Sequence, residues 1–110
     1  MIRNKRTGEV LARGEIHCRR FWELAMGLRF RLGGGAVLHL GKSKKVTLDM
    51  WFVFYPISVL FLDENMRVVE IKKDLRPWQS YTSRKNCCYA VEIEGYRRCN
   101  WRIGDKLVFT

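Results

Sequence analysis

"MWFVFYPISVLFLDENMRVVEIKK", Met50 to Lys73, is the stretch whose reading decides the fold. An apolar run crosses Pro56, meets the turn Asp63-Glu64-Asn65-Met66, and returns with apolar residues alternating with charge. Side chains of an extended chain alternate between faces, so Ile57, Val59 and Phe61 share one side of residues 57–62 while Ser58, Leu60 and Leu62 share the other. Both sets are almost wholly apolar, which predicts an interior strand covered on two sides and leaves no room for a polar active centre. Pro56 has no amide proton, so the ladder is interrupted or at an edge there. Asp63 suits the first position of a turn that accepts backbone protons. Arg67 to Lys73, with Val69 and Ile71 alternating with Glu70 and Lys72, reads as the half-exposed partner of a hairpin.

Working outward, Gly8 to His17 is strand-like but broken at Gly14. From Arg19 to Leu28 the period changes: Phe21, Leu24, Ala25 and Leu28 fall on one helical face, and "RLGGG" ends the segment. Ala36 to Leu40 and Val46 to Met50 read as strands around a solvated "GKSKK" turn. Residues 75–86 form a polar loop in which Trp78 and Tyr81 clamp the core edge. In Cys88 to Glu94, Tyr89, Val91 and Ile93 point inward and Glu92 and Glu94 outward. "GYRRCNWRI" fits one helical turn, Gly104-Asp105 a turn, and "KLVF" a final strand. The expectation is an α+β class: a compact β-rich single domain over residues 1–110, mostly antiparallel and sandwich- or barrel-like. It has one principal helix near residues 19–28, and residues 1–7 are open to disorder.

The chain has 110 residues, 47% of them hydrophobic, enough for one real core and far from a disordered composition. No stretch reaches the roughly 18 apolar residues of a membrane span, and the basic start has no apolar segment after it. A cytoplasmic location with no membrane partner is therefore expected. The net charge of +10 favours encounter with polyanions, so nucleic acid or an acidic protein is the natural partner.

Cys18, Cys87, Cys88 and Cys99 lack Cys-x-x-Cys spacing. His17-Cys18 and Cys87-Cys88 are adjacent pairs in strands or at their ends, and such neighbours point to opposite faces, so neither chelates one ion. Buried thiols, with no metal and no cofactor, are the expectation. Each of His17 and His39 reads as a satisfied strand histidine, since no nucleophile elbow or metal-binding helix accompanies it. "LGGGAV" follows a helical segment and precedes a strand, the reverse of a phosphate cradle, and reads as a connector.

The order of features resembles an uncharacterised family, that of domain of unknown function 192. The likeness is carried by Gly27-Leu28-Arg29-Phe30, by the "MWF...PI.V.FLD" segment from Met50 to Asp63, by "RVVEI" followed by "L.PW", and by Tyr89 to Leu107. It runs from about Arg13 to the end. The resemblance implies a β-rich α+β domain and supplies no catalytic residues. Ser58 stands where the family commonly has Asp, and Met66 where the hairpin usually has Gly, which moves the left-handed position to Asn65.

Two groups of residues are candidate sites. Trp51, Arg76, Trp78 and Tyr81 could border a groove for a small ligand or peptide beside the interruption at Pro56. Arg19, Arg20, Lys42, Lys44, Lys45, Arg97, Arg98 and Arg102, with Arg84 and Lys85, could hold phosphates if they share a face. The expected function is a small binding or interaction domain without evident catalysis; the alternative is a sequence-nonspecific nucleic-acid binder acting through basic patches.

Overall fold

The computed structural model describes residues 1–13, 16–18, 35–49, 56–94 and 101–109. Among these the regular elements are all strands: β1 (Ile2–Asn4), β2 (Val10–Ala12), β3 (Ile16–Cys18), β4 (Gly35–Lys44), β5 (Thr47–Asp49), β6 (Ile57–Leu62), β7 (Val68–Leu75), β8 (Ser80–Thr82), β9 (Cys87–Glu94) and β10 (Leu107–Phe109). They form a five-stranded sheet in the order β3-β4-β9-β6-β7, a three-stranded sheet β10-β1-β2 and a two-stranded sheet β5-β8. All pairings are antiparallel except β3 with β4.

The α+β expectation is corrected to a β-rich domain. One helical period suggested the mixed class, but the buried clusters are built almost entirely from alternating strand residues. The expected helix over residues 19–28 lies outside the described residues, as do residues 95–100 of the helical turn expected over residues 95–103. No helix among the described residues is long and apolar enough to cross a membrane.

β6 is hydrogen-bonded to β9 on one edge and β7 on the other, and all six of its residues are buried. Its two sets of side chains enter two different clusters. Ile57, Val59 and Phe61 meet Ala36, Leu38, Leu75 and Ala90, with Leu48 and Tyr81 from the small sheet. Leu60 and Leu62 meet Val37, Val91, Ile93 and Val68, with Ile2, Leu11 and Leu107 from the three-stranded sheet. A smaller sheet thus covers each face, which is why the apolar run is nearly unbroken. Coverage reaches further than the charge pattern implies: Glu92, expected outward, is buried. Gly35 marks a close approach, because a Cβ there would lie 3.1 Å from both the Ala12 Cβ and the Glu92 carbonyl oxygen and would push on both.

The β6–β7 turn is held by Asp63, whose Oδ1 accepts from the amides of Asn65 at 2.8 Å and Arg67 at 3.0 Å. The left-handed residue is Met66, with φ of 64°, and not Asn65. Two residues after Asp63 follow the side-chain-bonded turn, and the reversal then falls on the third, as in three-residue hairpin loops. "GKSKK" is likewise not a plain turn: β4 runs on to Lys44 through an irregularity at Gly41, where φ is 80°.

Opposite ends of the chain are joined. Ile2 pairs with Phe109, Arg3 with Val108 and Asn4 with Leu107. Asp105 locks this junction: its carboxylate accepts from Asn4 Nδ2 at 2.9 Å, Arg6 Nε at 2.6 Å, Arg6 Nη2 at 3.0 Å and the Arg102 amide at 2.9 Å. The Arg6 hydrogen bond, helped by Asn4 and the Arg102 amide, outweighs burial and holds the Asp105 carboxyl well below the usual carboxylate range.

Phe61→Ala, which empties a fully buried site between the sheets, is expected to cost about 3–5 kcal/mol in urea unfolding. A carboxyl depressed in the folded state stabilises above its unfolded pKa and loses that contribution as pH falls. Acid titration from pH 6 to pH 2 should therefore remove on the order of 1–3 kcal/mol, and Asp105→Asn should remove most of that pH dependence.

Candidate functional site

The β1–β10 junction also forms a concavity. It is an open recess of about 700 Å³, lined by Arg3, Asn4 and Lys5 from the β1 side, Lys106 to Phe109 from the β10 side, and Met66 and Gly8 from turns. Local structure explains the lining. In β1 the buried residues are Ile2 and Asn4, so Arg3 between them turns outward. The Lys5 amide donates to the Lys106 carbonyl at 2.9 Å, holding the two lysine-bearing segments side by side. The Leu107 amide donates to the Met66 carbonyl at 3.0 Å, which brings the β6–β7 turn up as the far wall. A second recess of about 320 Å³ adjoins it through Lys5 and Lys106 and is lined by Arg6, Arg67, Gly104 and Asp105.

Electrostatically this is a cationic rim over an apolar wall. Arg3, Lys5 and Lys106 line the larger recess together with Met66 and Val108, while Leu107 and Phe109, opposite buried Asn4 and Ile2 in the register, turn their side chains inward. Asp105 is the acidic residue of the smaller one, and its charge is matched by Arg6. Arg67 Nη1 donates to the Gly104 carbonyl at 3.1 Å, fixing a further cation at the rim. None of Arg3, Lys5, Met66, Lys106 or Phe109 stood out as a site residue in the sequence. The junction links positions about a hundred residues apart, and the short apolar-charged alternation at each end carries little signal alone.

The residues that the sequence did single out fall into separate places. Lys42, Lys44 and Lys45 are exposed at the end of β4 and just beyond it. Lys44 stands opposite Cys87, and the Val46 amide donates to Ser83 Oγ at 2.9 Å, so these lysines meet exposed Arg84 and Lys85 at one tip. Buried Glu70 shapes that tip, accepting from the Arg84 amide at 2.7 Å, the Lys85 amide at 2.9 Å and the Tyr81 hydroxyl. Burial pushes the Glu70 carboxyl up, but these three donors together carry it below its ordinary value; the same bond raises the Tyr81 phenol. Arg102 is exposed, and its amide donates to Asp105 at the β1–β10 junction. Arg19, Arg20, Arg97, Arg98 and Trp51 lie outside the described residues.

Tyr81 packs inward against Phe61 and Glu70, with Lys72 Nζ 5.4 Å above its ring. Trp78 is 52% exposed in the turn before β8, at φ of 67°, and Arg76 Nε pairs with Asp74 at 3.2 Å.

His17 and His39 are brought together by the parallel β3–β4 pairing. Nδ1 of His17 lies 2.8 Å from Nε2 of His39, so one ring donates to the other. Phe109 meets His17 edge-on at 5.6 Å between ring centres, and Tyr89 meets His39 at 5.2 Å. Among the described residues no three His, Cys, Asp or Glu side chains converge as metal ligands. Burial pushes the Cys87 thiol up to about 11, and burial also raises Cys88, so both are poor nucleophiles at neutral pH.

Comparison with known proteins gives a consistent answer. UPF0127 protein PH1112 of Pyrococcus horikoshii is 32% identical over 75 residues, which span 66% of this chain and 64% of that protein. A crystal structure of a protein of unknown function from Novosphingobium aromaticivorans superposes with a TM-score of 0.79 at 24% identity, covering 86% of this chain and 74% of the other. Another, a candidate transcription regulator from Sinorhizobium meliloti, gives 0.78 at 20% identity, with 86% and 79% covered. At those identities the two structures speak for the fold alone. The family model DUF192, described as uncharacterized ACR, matches residues 4–109. The chain belongs to the DUF192 family, as the order of its motifs implied.

Proposed function

We propose that the chain is a small cytoplasmic binding domain that takes an anionic ligand with an apolar body into the β1–β10 groove, acting by binding and not by catalysis. The observation that carries this reading is the set of cations Arg3, Lys5 and Lys106 around a recess whose lining also includes Met66 and Val108. About 700 Å³ lies within the range of small-ligand sites, which are mostly apolar with a few polar groups that set orientation. The rim would meet the charged head, and Met66 and Val108 the body. Free Cys87 and Cys88 agree with a reducing compartment.

A second reading rests on the tip where Lys42, Lys44, Lys45, Arg84 and Lys85 are gathered. Glu70 holds the loop by its amides, leaving the Arg84 and Lys85 side chains exposed and pre-positioned for a phosphate backbone. Such a surface would bind nucleic acid without reading sequence, or else an acidic protein.

For the groove, 1-octanesulfonate is a suitable probe, and calorimetry should detect a site that weakens at least tenfold in Lys5→Glu/Lys106→Glu. Undetectable heat at millimolar probe, or indifference to the charge reversal, overturns the reading. For the tip, duplex affinity should fall with log salt at a slope of about −4 to −5, from roughly 0.9 per phosphate contact. Lys44→Glu/Lys45→Glu should flatten it, and the absence of any complex in low salt removes this reading.

A further inference from the structure

Among the described residues the exposed large apolar side chains are Ile103, at 63%, and Trp78, at 52%. They are far apart in sequence, yet they bracket one strand. Ile103 precedes Gly104, whose amide donates to the Val68 carbonyl at 2.7 Å, and Trp78 lies in the turn from Arg76 to Gln79 that follows Leu75. Between them runs β7, the last strand of the five-stranded sheet, which has β6 as its only strand neighbour there. We propose that the outer edge of β7 takes an acidic, extended segment of another protein as a sixth strand, with Ile103 and Trp78 offering apolar contacts at its two ends.

Part of that edge is closed and part is open. Val68 gives its amide to the Asp105 carbonyl at 2.8 Å and its carbonyl to Gly104, so its backbone groups turn away from β6. Between the pairs Leu62–Val68 and Phe61–Glu70, β7 carries one residue more than β6, and this bulge shifts the alternation. The next residues whose N–H and C=O turn outward are therefore Ile71 and Lys73. Among the described residues nothing pairs with that side of them, and Ile71 is half-buried and Lys73 exposed. A second irregularity before Leu75, where Asp74 has φ of 54°, ends the edge roughly 20 Å from Val68.

Charge selects the occupant. The acids near this edge are already engaged: buried Glu70 accepts from the Tyr81 hydroxyl and two amides, and Asp74 from Arg76 Nε at 3.2 Å. Lys72, over the Tyr81 ring, and exposed Lys73 remain as the excess charge, with Arg67 at the closed end. Any extended chain can bond to an open edge, so the side chains beside it decide which chain is accepted. A second copy of this domain would set the same lysines against each other across the new pair, which opposes edge-to-edge association. A strand with alternating carboxylates meets them favourably, and apolar residues at its ends cover Ile103 and Trp78. This edge is separate from the β1–β10 recess and does not depend on the groove reading.

The probe is the peptide acetyl-Leu-Glu-Val-Glu-Val-Glu-Leu-amide, added to the full chain and followed by NMR and calorimetry. Saturating peptide should slow exchange of the Ile71 and Lys73 amide protons by about tenfold or more and shift the Trp78 ring signals. N-methylation of the central Glu and the Val before it removes a donor from each peptide edge, keeps the charge, and should weaken binding about tenfold. Lys73→Pro, which removes an outward donor and leaves the β6 ladder, should weaken it by a similar factor, whereas Lys5→Glu/Lys106→Glu should not. Binding that ignores N-methylation and leaves the Ile71 and Lys73 amides exchanging freely is charge attraction alone and overturns the proposal. So does the absence of binding at millimolar peptide, or binding lost in Lys5→Glu/Lys106→Glu, which places the peptide in the recess. Protection of the same amides that grows with protein concentration in the absence of peptide makes the occupant a second copy and equally overturns the acidic partner. The exchange readout needs no variant, so a misfolded mutant does not blunt the test.

Discussion

The burial of β6 on both faces is the constraint from which the rest of the architecture follows. A strand whose alternate side chains are Ile57, Val59 and Phe61 on one side and Leu60 and Leu62 on the other exposes apolar surface in two directions at once. Each fully buried side chain of this kind contributes about 1.5–3 kcal/mol only if something covers it. The two-stranded sheet supplies one cover and the three-stranded sheet the other. Short strands suffice because they need only close over a sheet that is already paired.

That arrangement also decides where chemistry is possible. The faces of the five-stranded sheet are mostly apolar, with Glu70 and Glu92 buried, and the exposed charges gather where the covering layers end. At one end β1 and β10 meet and turn Arg3, Lys5 and Lys106 toward a common recess. At the other, the small sheet and the loop after it lift Arg84 and Lys85 beside the lysines of β4. Buried carboxylates serve both places in the same manner. Asp105 ties the junction together through side chains and an amide, and Glu70 fixes a loop through two amides and a phenol. In both cases the acid is consumed locally, which leaves the positive charge of the chain facing solvent.

Much of this was legible in the sequence, for a physical reason in each case. The two-faced β6 strand and its hairpin with β7 are local, and local periodicity reports them directly. Glu92 was assigned outward because a charged residue normally faces water; its strand lies in the middle of the sheet, which no neighbouring residue announces. Met66 took the reversed backbone position because the Asp63 side chain sets the count of the turn, and that bond outweighs residue preference. The helical period misjudged the class because a single segment was weighed against many short strands. Lys42 to Lys45 and Arg84-Lys85 were visible as charge runs, but their meeting depends on register. The β1–β10 recess was hidden most deeply, since its walls come from opposite ends of the chain.

That last pairing shapes how the domain can be made. Ile2 and Leu11 are buried in a cluster that includes Leu107, so on the ribosome β1 and β2 stay uncovered until a segment about a hundred residues later has emerged. Closing so long a loop is slow compared with forming the central hairpin, and the early apolar residues are meanwhile open to chaperones or to one another.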